Sequence, residues 1–144
     1  MRVKADDFLA GRTFGPDVAP HVPQLSFLVD DLSQLTDEQL EARNLGDFAA
    51  LALWSLRDSR SPKRLLRSLG YWAAALQRLA VSEAAALEQI FRYLSLVVPD
   101  LMPHVIPTLL HDAAPAAEQV IMTLAEQWKA EGEAKGEAKG EARG

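Results

Sequence analysis

The stretch Ser61–Ser82, SPKRLLRSLGYWAAALQRLAVS, decides the fold of this chain, since it predicts one long amphipathic helix. Ser61 followed by Pro62 is a strong helix start, because a capping hydroxyl precedes a proline at the first helical position. The large apolar residues then recur in steps of four and three, the spacing of one helical stripe. They are Leu65, Leu69, Trp72, Leu76 and Leu79. The stretch therefore predicts a helix with one face in an apolar core.

Helical patterns continue on both sides of this stretch. Upstream, TDEQ at 36–39 fits a capping box, with Thr36 bonding the amide of Gln39 and the Gln39 side chain reaching back. Downstream, Ser82 is predicted to cap the next helix, and a last helix begins near Pro115. The predicted apolar faces comprise Phe48, Leu51, Ala52 and Leu56 upstream, then Leu87, Ile90, Phe91, Leu94 and Val98, and finally Ala117, Ile121, Leu124 and Trp128.

The N-terminal part of the sequence predicts a loop followed by one strand. Residues 1–24 contain several glycines and prolines and keep no apolar period, which is typical of a loop. Leu25, Phe27 and Val29 then form a short alternating pattern, a strand signal. A strand needs a partner for its backbone groups. Three arrangements stay open: pairing in another chain, packing as an extended arm on the helices, or being the remnant of a sheet that this chain lacks.

The composition is that of a globular chain without thiol chemistry. Its 144 residues, 49% of them hydrophobic, are enough for one compact domain. There is no cysteine, which excludes thiol catalysis, cysteine-based zinc sites and disulfides. A net charge of −5 and a pI near 5.2 argue against nonspecific nucleic-acid binding by the whole molecule. The sequence predicts no signal peptide and no membrane-crossing run, so we expect a soluble, cytoplasmic protein with no membrane partner.

Together these patterns predict a mainly α fold, a small helical bundle preceded by one short extended or β segment and followed by a repetitive tail, helical or frayed. Within the bundle, Pro99, Pro103 and Pro107 predict one or two short, kinked turns. The predicted divisions are an N-terminal loop and edge-strand arm at 1–31, a helical core at 32–112, a C-terminal helix at 113–130 and an E-A-K-G repeat tail at 131–144.

The tail, EGEAKGEAKGEARG, contains two E-x-K strings, Glu133–Lys135 and Glu137–Lys139, which match half of a metal-dependent nuclease signature. That chemistry needs Glu and Lys on one strand, where residues two apart point to the same face. The tail has no β-branched or aromatic residue, and on a helix residues two apart lie about 200° apart round the axis. We therefore predict no catalytic residue, no metal site and no cofactor for this chain.

If the tail is a helix, its four-residue repeat places residues of the same type one above another along the axis. Glutamates form one stripe and basic residues another, and like charges four apart with interior glycines favour fraying of an isolated helix. Against a second helix, however, the small residues permit close approach and an acidic stripe can meet a basic one. A solvated, partly disordered extension and a self-association surface both stay open. The residues of that candidate surface are Gly132, Gly136, Gly140, Ala134 and Ala138.

One basic cluster stands out in RDSRSPKRLLR, residues 57–67. It comprises Arg57, Arg60, Lys63, Arg64 and Arg67 and includes only one acid, Asp58. Part of the cluster is spaced for one helical face, and such a face can contact phosphates. A solvated outer face is the common alternative. We treat the cluster as a candidate contact for DNA or phosphate.

Four segments carry a resemblance to a known family. They are VPQLSFLVDDLSQLTDEQL at 22–40, FAALALWSLRDSR at 48–60, LEQIFRYLSLV at 87–97 and the tail LAEQWKAEGEAKGEAKGEARG at 124–144. In pattern and order these segments resemble the C-terminal part of the Rpn family, the recombination-promoting nucleases, also described as YhgA-like transposases. The resemblance begins at about Pro23 and covers most of the chain.

The resemblance implies a relative with a PD-(D/E)XK nuclease domain in its N-terminal part, which cuts DNA with a divalent metal. Its Asp and E-x-K strands would precede Met1, and nothing in 1–31 replaces them. No catalytic residue of the family is therefore carried over, and Mg is expected only for a full-length relative. The Leu25–Val29 strand is similar to the last or edge strand of the missing sheet, so the chain looks like a short form or a fragment.

Three functional hypotheses follow. The leading one is a non-catalytic C-terminal module, an oligomerisation or regulatory short form that pairs with itself or with a full-length nuclease relative and modulates it. The alternative is a DNA-contacting accessory domain that uses the basic 57–67 face, or a truncated transposase remnant without function. The third, an independent hydrolase or nuclease, is disfavoured because the motifs are missing.

Overall fold

The computed structural model describes the backbone of residues 2–4 and 26–141 and the side chains of 28–136. The chain divides into two compact units, Met1–Gln34 and Leu35–Gly144. The second unit is entirely helical in its regular structure, so the prediction of a mainly α fold built as a helical bundle is confirmed. Its helices are α1, Asp37–Glu41; α2, Asp47–Asp58; α3, Pro62–Ser82; α4, Ala84–Val97; α5, Val105–Leu110; and α6, Pro115–Glu141.

The first unit contains a small antiparallel sheet. Strand β1, Arg2–Lys4, pairs with strand β2, Ser26–Leu28, with Val3 opposite Phe27. The predicted strand thus exists but has its partner within the chain, which none of the three expected arrangements included. The three residues of β1 are too few to show an alternating pattern, so the sequence did not indicate them. The rest of the predicted N-terminal loop lies outside the described residues.

Helix starts follow the capping chemistry that the sequence indicated, with one exception. Thr36 Oγ1 accepts from the Gln39 amide at 3.2 Å, and Gln39 Oε1 accepts from the Thr36 amide at 3.0 Å, completing the capping box. Ser61 Oγ accepts from the amide of Arg64 at 3.4 Å. The prediction that Ser82 caps the next helix was wrong. Ser82 is the last residue of α3, and Glu83 occupies the N-cap position before α4 without a side-chain cap hydrogen bond.

Helix α3 is the central element of the bundle and packs against α2, α4 and α6. Its predicted stripe is buried throughout, with Leu65 and Leu76 fully enclosed. Burying an apolar side chain of this size contributes roughly 1.5–3 kcal/mol, which is why the stripe fixes the position of the surrounding helices. The largest enclosed side chains facing it from the other elements include Trp54, Phe91, Ile106 and Ile121.

Helix α2 turns a different face to the core than the sequence predicted. Leu51 is fully buried, as expected, but Phe48 and Leu56 are 41% and 50% exposed. The buried side instead contains Trp54 and the polar pair Arg57 and Asp58. The helix is therefore rotated so that polar residues enter the core and part of its apolar face remains outside.

The proline-containing segment between α4 and α6 forms turns and the six-residue helix α5, as the sequence indicated. Ile106 and Leu110 from α5 are buried in the common core. Among the described residues, no helix combines the length and the apolar character that a membrane crossing requires.

Helix α6 starts within the packed helices of the second unit, which we call the body, and continues into the repeat tail. Ala117, Ile121 and Leu124 are buried, and the Arg92 guanidinium lies 6.0 Å from the centre of the Trp128 ring. From Lys129 to Gly136 every side chain is exposed. The backbone remains helical through Glu141, so the beginning of the repeat is part of the same helix.

Candidate functional site

A buried ion pair between neighbouring residues lies at the C-terminal end of α2. Arg57 Nε donates to Asp58 Oδ1 at 2.7 Å, and Arg57 Nη2 donates to Asp58 Oδ2 at 2.8 Å. Both side chains are almost fully enclosed, with 2% and 0% of their surface exposed. Two parallel N–H···O bonds are a strong geometry for such a pair, and they offset part of the cost of removing both charges from water.

Helix α3 supplies the remaining partners of the Asp58 carboxylate. Arg64 Nε lies 2.8 Å from Asp58 Oδ1, and Ser68 Oγ donates to Oδ2 at 2.6 Å. Ser68 Oγ in turn accepts from Trp54 Nε1 at 2.8 Å. One carboxylate is therefore shared by two guanidinium groups and a hydroxyl, which fixes α2 against α3.

The same network holds the short helix α1 to the body. Asp37, in the first turn of α1, accepts from Arg57 Nη2 and from Trp72 Nε1, the latter at 2.8 Å. The Leu35 carbonyl accepts from Arg57 Nη1 at 3.2 Å and from Arg64 Nη2 at 3.0 Å. Within the described part of the chain, every buried side-chain nitrogen and oxygen has a hydrogen-bond partner.

The network keeps its groups ionised in spite of their burial. Burial opposes the charge of Asp58, but the hydrogen bonds from Arg57 and Ser68 and the charges of Arg57 and Arg64 outweigh it, so the Asp58 pKa lies below its usual 3.8. Burial likewise acts to lower the Arg57 pKa, and the bonds to Asp58 and Asp37 raise it above its ordinary value. Both shifts favour the ionised forms of Asp58 and Arg57 at neutral pH.

The predicted basic cluster divides into two groups. Arg57 is buried and Arg64 is bonded to Asp58 and to the Leu35 carbonyl, so these two residues hold the body together rather than facing solvent as a pair of phosphate contacts. Arg60, Lys63 and Arg67 are exposed, and no acid among the described residues forms an ion pair with them. The surface part of the cluster is these three cations. The sequence alone does not separate these two groups, because Arg57 is bonded to Asp37. That residue lies far from Arg57 in the sequence, and no local pattern predicts the contact.

A polar cleft of about 230 Å³ lies where α1 and its following loop meet α2 and α3. Arg78 donates to both oxygens of Asp47, at 3.0 and 2.7 Å, across this cleft. The Tyr71 hydroxyl donates to Glu41 Oε2, and that hydrogen bond raises the Tyr71 pKa to about 12. Both carboxylates of the cleft are therefore bonded within the chain, Asp47 to Arg78 and Glu41 to the Tyr71 hydroxyl.

A shallow apolar groove of about 180 Å³ lies between α2 and α4. Phe48, Ala52 and Leu56 from α2 form one wall, since they lie four residues apart on the outer side of that helix. Ile90 and Tyr93 from α4 form the other, and the Tyr93 hydroxyl lies 3.0 Å from Ser59 Oγ. This groove is the exposed part of the apolar face that the sequence assigned to the core.

The E-x-K strings lie on a helix. Glu133 and Lys135 are both exposed in α6, where a separation of two residues places them on nearly opposite sides of the axis, about 160° apart. The second string has the same helical backbone. Glu and Lys of one string therefore cannot face one bound metal ion. Among the described residues, no group of three His, Asp or Glu side chains is arranged to hold a metal.

The candidate self-association residues lie on the part of α6 that follows the body. Gly132 and Gly136 are exposed, and a Cβ added to either would meet no atom within 4 Å. Ala134 is exposed between them, while for Ala138 and Gly140 the structure describes the helical backbone alone. Packing within the chain therefore gives no reason for glycine at 132 or 136.

Comparison of the chain with protein-family models, with curated proteins and with solved structures finds no match.

Proposed function

We propose that this chain is a non-catalytic interaction module that self-associates through residues 129–141 of α6, which we call the projecting part of this helix. The single observation that carries the proposal is the exposure of every side chain from Lys129 to Gly136 on a helix that continues to Glu141. A helix with interior glycines and no internal packing is marginal in water, because both terms oppose its formation. Contact with a second chain would supply the missing stabilisation.

The resemblance to the C-terminal part of Rpn-type nucleases leads us to propose a second partner, a full-length nuclease of this type. A module that associates with its own kind can also associate with a full-length nuclease that carries the same helices and tail, and in this way modulate DNA cleavage in the cytoplasm. The position of the E-x-K strings on a helix supports a role without catalysis for this chain. Divalent metal would then belong to the nuclease partner.

Self-association is tested by comparing the full chain with a chain that ends at Trp128, since the described residues that this deletion removes, 129–136, are exposed and the packed part of α6 is kept. Sedimentation across a wide concentration range should show an oligomer for the full chain and a monomer for the shortened one. Helix content measured by circular dichroism should rise with concentration only for the full chain. A full chain that stays monomeric throughout that range would contradict the proposal.

The regulatory part has its own test with an Rpn-type nuclease that retains its catalytic domain. Mixing the two proteins should give co-elution and a changed rate of magnesium-dependent DNA cleavage. The chain ending at Trp128 is the matched control, and it should change neither. Unaltered cleavage together with separate elution would rule out this role while leaving self-association in place.

The alternative of DNA contact rests on the three exposed cations Arg60, Lys63 and Arg67. Phosphate contacts of this kind weaken steeply with salt, so binding should be strongest at low ionic strength. Charge reversal of Lys63 and Arg67 should abolish it, whereas reversal of Arg64 is a poor test because that side chain also holds the buried Asp58. No detectable binding of duplex DNA at low salt would dismiss the alternative.

A further inference from the structure

The outer face of α3 combines positive charge with small side chains. Lys63, Arg67, Gly70 and Ala74 are all exposed and lie within about 60° of one another round the helix axis, opposite the buried stripe. A Cβ added at Gly70 would meet no atom within 4 Å, so packing within the chain does not require glycine there. This surface, which we call the α3 outer face, is a shallow basic strip along which another backbone can approach closely.

The projecting part of α6 has the complementary pattern. The register places the glutamates of the repeat, beginning with Glu133, between the glycine stripe and the alanine stripe, each about 100° away round the helix. The lysines, beginning with Lys135, lie on the opposite side of the axis. From Gly132 onward the helix therefore carries an acidic edge flanked by small residues, and its basic edge points away from it; Lys129, before the repeat, lies about 40° from Glu133. No acid or base on its described part forms an ion pair within the chain.

The two surfaces also agree in length. At about 1.5 Å per residue, the helix from Lys129 to Glu141 is roughly 18 Å long, and the α3 outer face from Lys63 to Ala74 is roughly 17 Å long. Because α6 is continuous to Glu141, its projecting part cannot turn back onto the α3 of its own chain. A second copy can present its tail to that face without any change of fold.

We infer that the acidic edge of the α6 tail docks on the α3 outer face of a second copy. This inference rests on the proposed self-association and names the surface that receives the tail. Glu133 meets the basic strip of Lys63 and Arg67, while the small residues of both helices let the backbones come close. If two copies exchange their tails reciprocally, the contact closes as a dimer with two identical docking sites.

Two charge-reversed chains test this docking. The face variant carries Lys63→Glu and Arg67→Glu, and the tail variant carries Glu133→Lys and Glu137→Lys. Each variant alone opposes like charges at every docking site, so its self-association constant should fall by about tenfold or more. An equimolar mixture restores opposite charges at both sites, and sedimentation should show a mixed oligomer with affinity close to that of the unaltered chain.

The matched control reverses the other edge of the tail, with Lys135→Glu and Lys139→Glu, and it should associate like the unaltered chain. Since all the changed side chains that the structure describes are exposed, circular dichroism should show unaltered helix content at low concentration. A face variant that self-associates normally while the chain ending at Trp128 is monomeric would overturn the docking surface and leave self-association intact. Duplex DNA binding that is lost in a normally associating face variant would likewise overturn it and assign the face to nucleic acid.

Discussion

Asp58 lies at the centre of the buried polar network. Replacing it with alanine leaves two guanidinium groups without their shared carboxylate, one of them almost fully enclosed. Breaking a buried pair in this way typically costs about 3–5 kcal/mol, so we expect Asp58→Ala to lower the free energy of unfolding by that amount. The measurement is urea unfolding followed by circular dichroism.

The matched control is Asp47→Ala, which removes the partner of Arg78, a side chain that is 61% exposed. Surface pairs of this kind contribute about 0–1 kcal/mol, so the loss should be small. Equal losses for the two variants would mean that burial of the Arg57–Asp58 pair has no energetic consequence. The comparison therefore isolates the effect of burial from that of charge.

The lowered Asp58 pKa also fixes a pH dependence. A carboxyl group whose pKa is lower in the folded state contributes stability above the unfolded pKa, and that contribution is lost as pH falls through the folded value. We expect the free energy of unfolding to decrease as pH falls below about 4. The Asp58→Asn chain has no carboxylate charge to lose at this position. The difference in the free energy of unfolding between the unaltered chain and the Asp58→Asn chain should therefore become smaller in acid. A constant difference from pH 7 to pH 3 would contradict this assignment.

The sequence indicated the apolar stripe of α3 but not this polar network, nor the face that α2 turns to the core. Leu65 and Trp72 could be assigned from helical spacing because their neighbours on the stripe lie three or four residues away. Arg57 meets Asp37, and Trp54 meets Ser68, through contacts between different helices. Local spacing carries no information on such pairs, so Arg57 was grouped with the surface cations.

At the scale of elements, α3 carries a glycine whose presence the fold does not explain. Gly70 lies in the middle of a helix, is exposed, and leaves room for a side chain. An interior glycine costs roughly 0.5–1 kcal/mol relative to alanine, so Gly70→Ala should raise the free energy of unfolding by about that amount. Chemical unfolding at low concentration, where the chain is monomeric, is the appropriate measurement.

The reverse substitution on the same face, Ala74→Gly, should lower stability by a similar amount and serves as the control. If Gly70→Ala destabilises the monomer, the open space above this glycine is occupied by the chain itself and the α3 outer face is smaller than the structure indicates. The two substitutions therefore measure the stability change from glycine to alanine and from alanine to glycine on the same helix surface.

Helix positions were predictable from sequence where capping and periodicity agree. Thr36 and Ser61 both carry the cap expected of them, and the structure begins α1 and α3 one residue later. Ser82 offers the same hydroxyl but stays within α3, because the chain turns at Glu83, whose extended φ of −146° ends the helical run. A hydroxyl alone therefore does not decide where a helix begins.

At the scale of the whole molecule, the part of α6 that packs in the core and the part that is exposed are separate segments. The segment up to Trp128 belongs to the core of the helical unit, whereas the exposed segment after it contributes no buried side chain among the described residues. This separation follows from the sequence, since the apolar stripe ends at Trp128 and the repeat begins immediately afterwards. It allows the tail to be altered without loss of the fold.

The separation predicts how thermal stability depends on concentration. Association that requires the folded chain stabilises it by mass action, by roughly 2.7 kcal/mol when the partner is at a hundred times the dissociation constant. The melting temperature of the full chain should therefore rise with protein concentration, while that of the chain ending at Trp128 should stay constant. At the lowest concentrations the two chains should melt within a few degrees of each other, because the described residues that are removed, 129–136, are exposed. An equal rise in both chains would place the association surface on the body rather than on the tail.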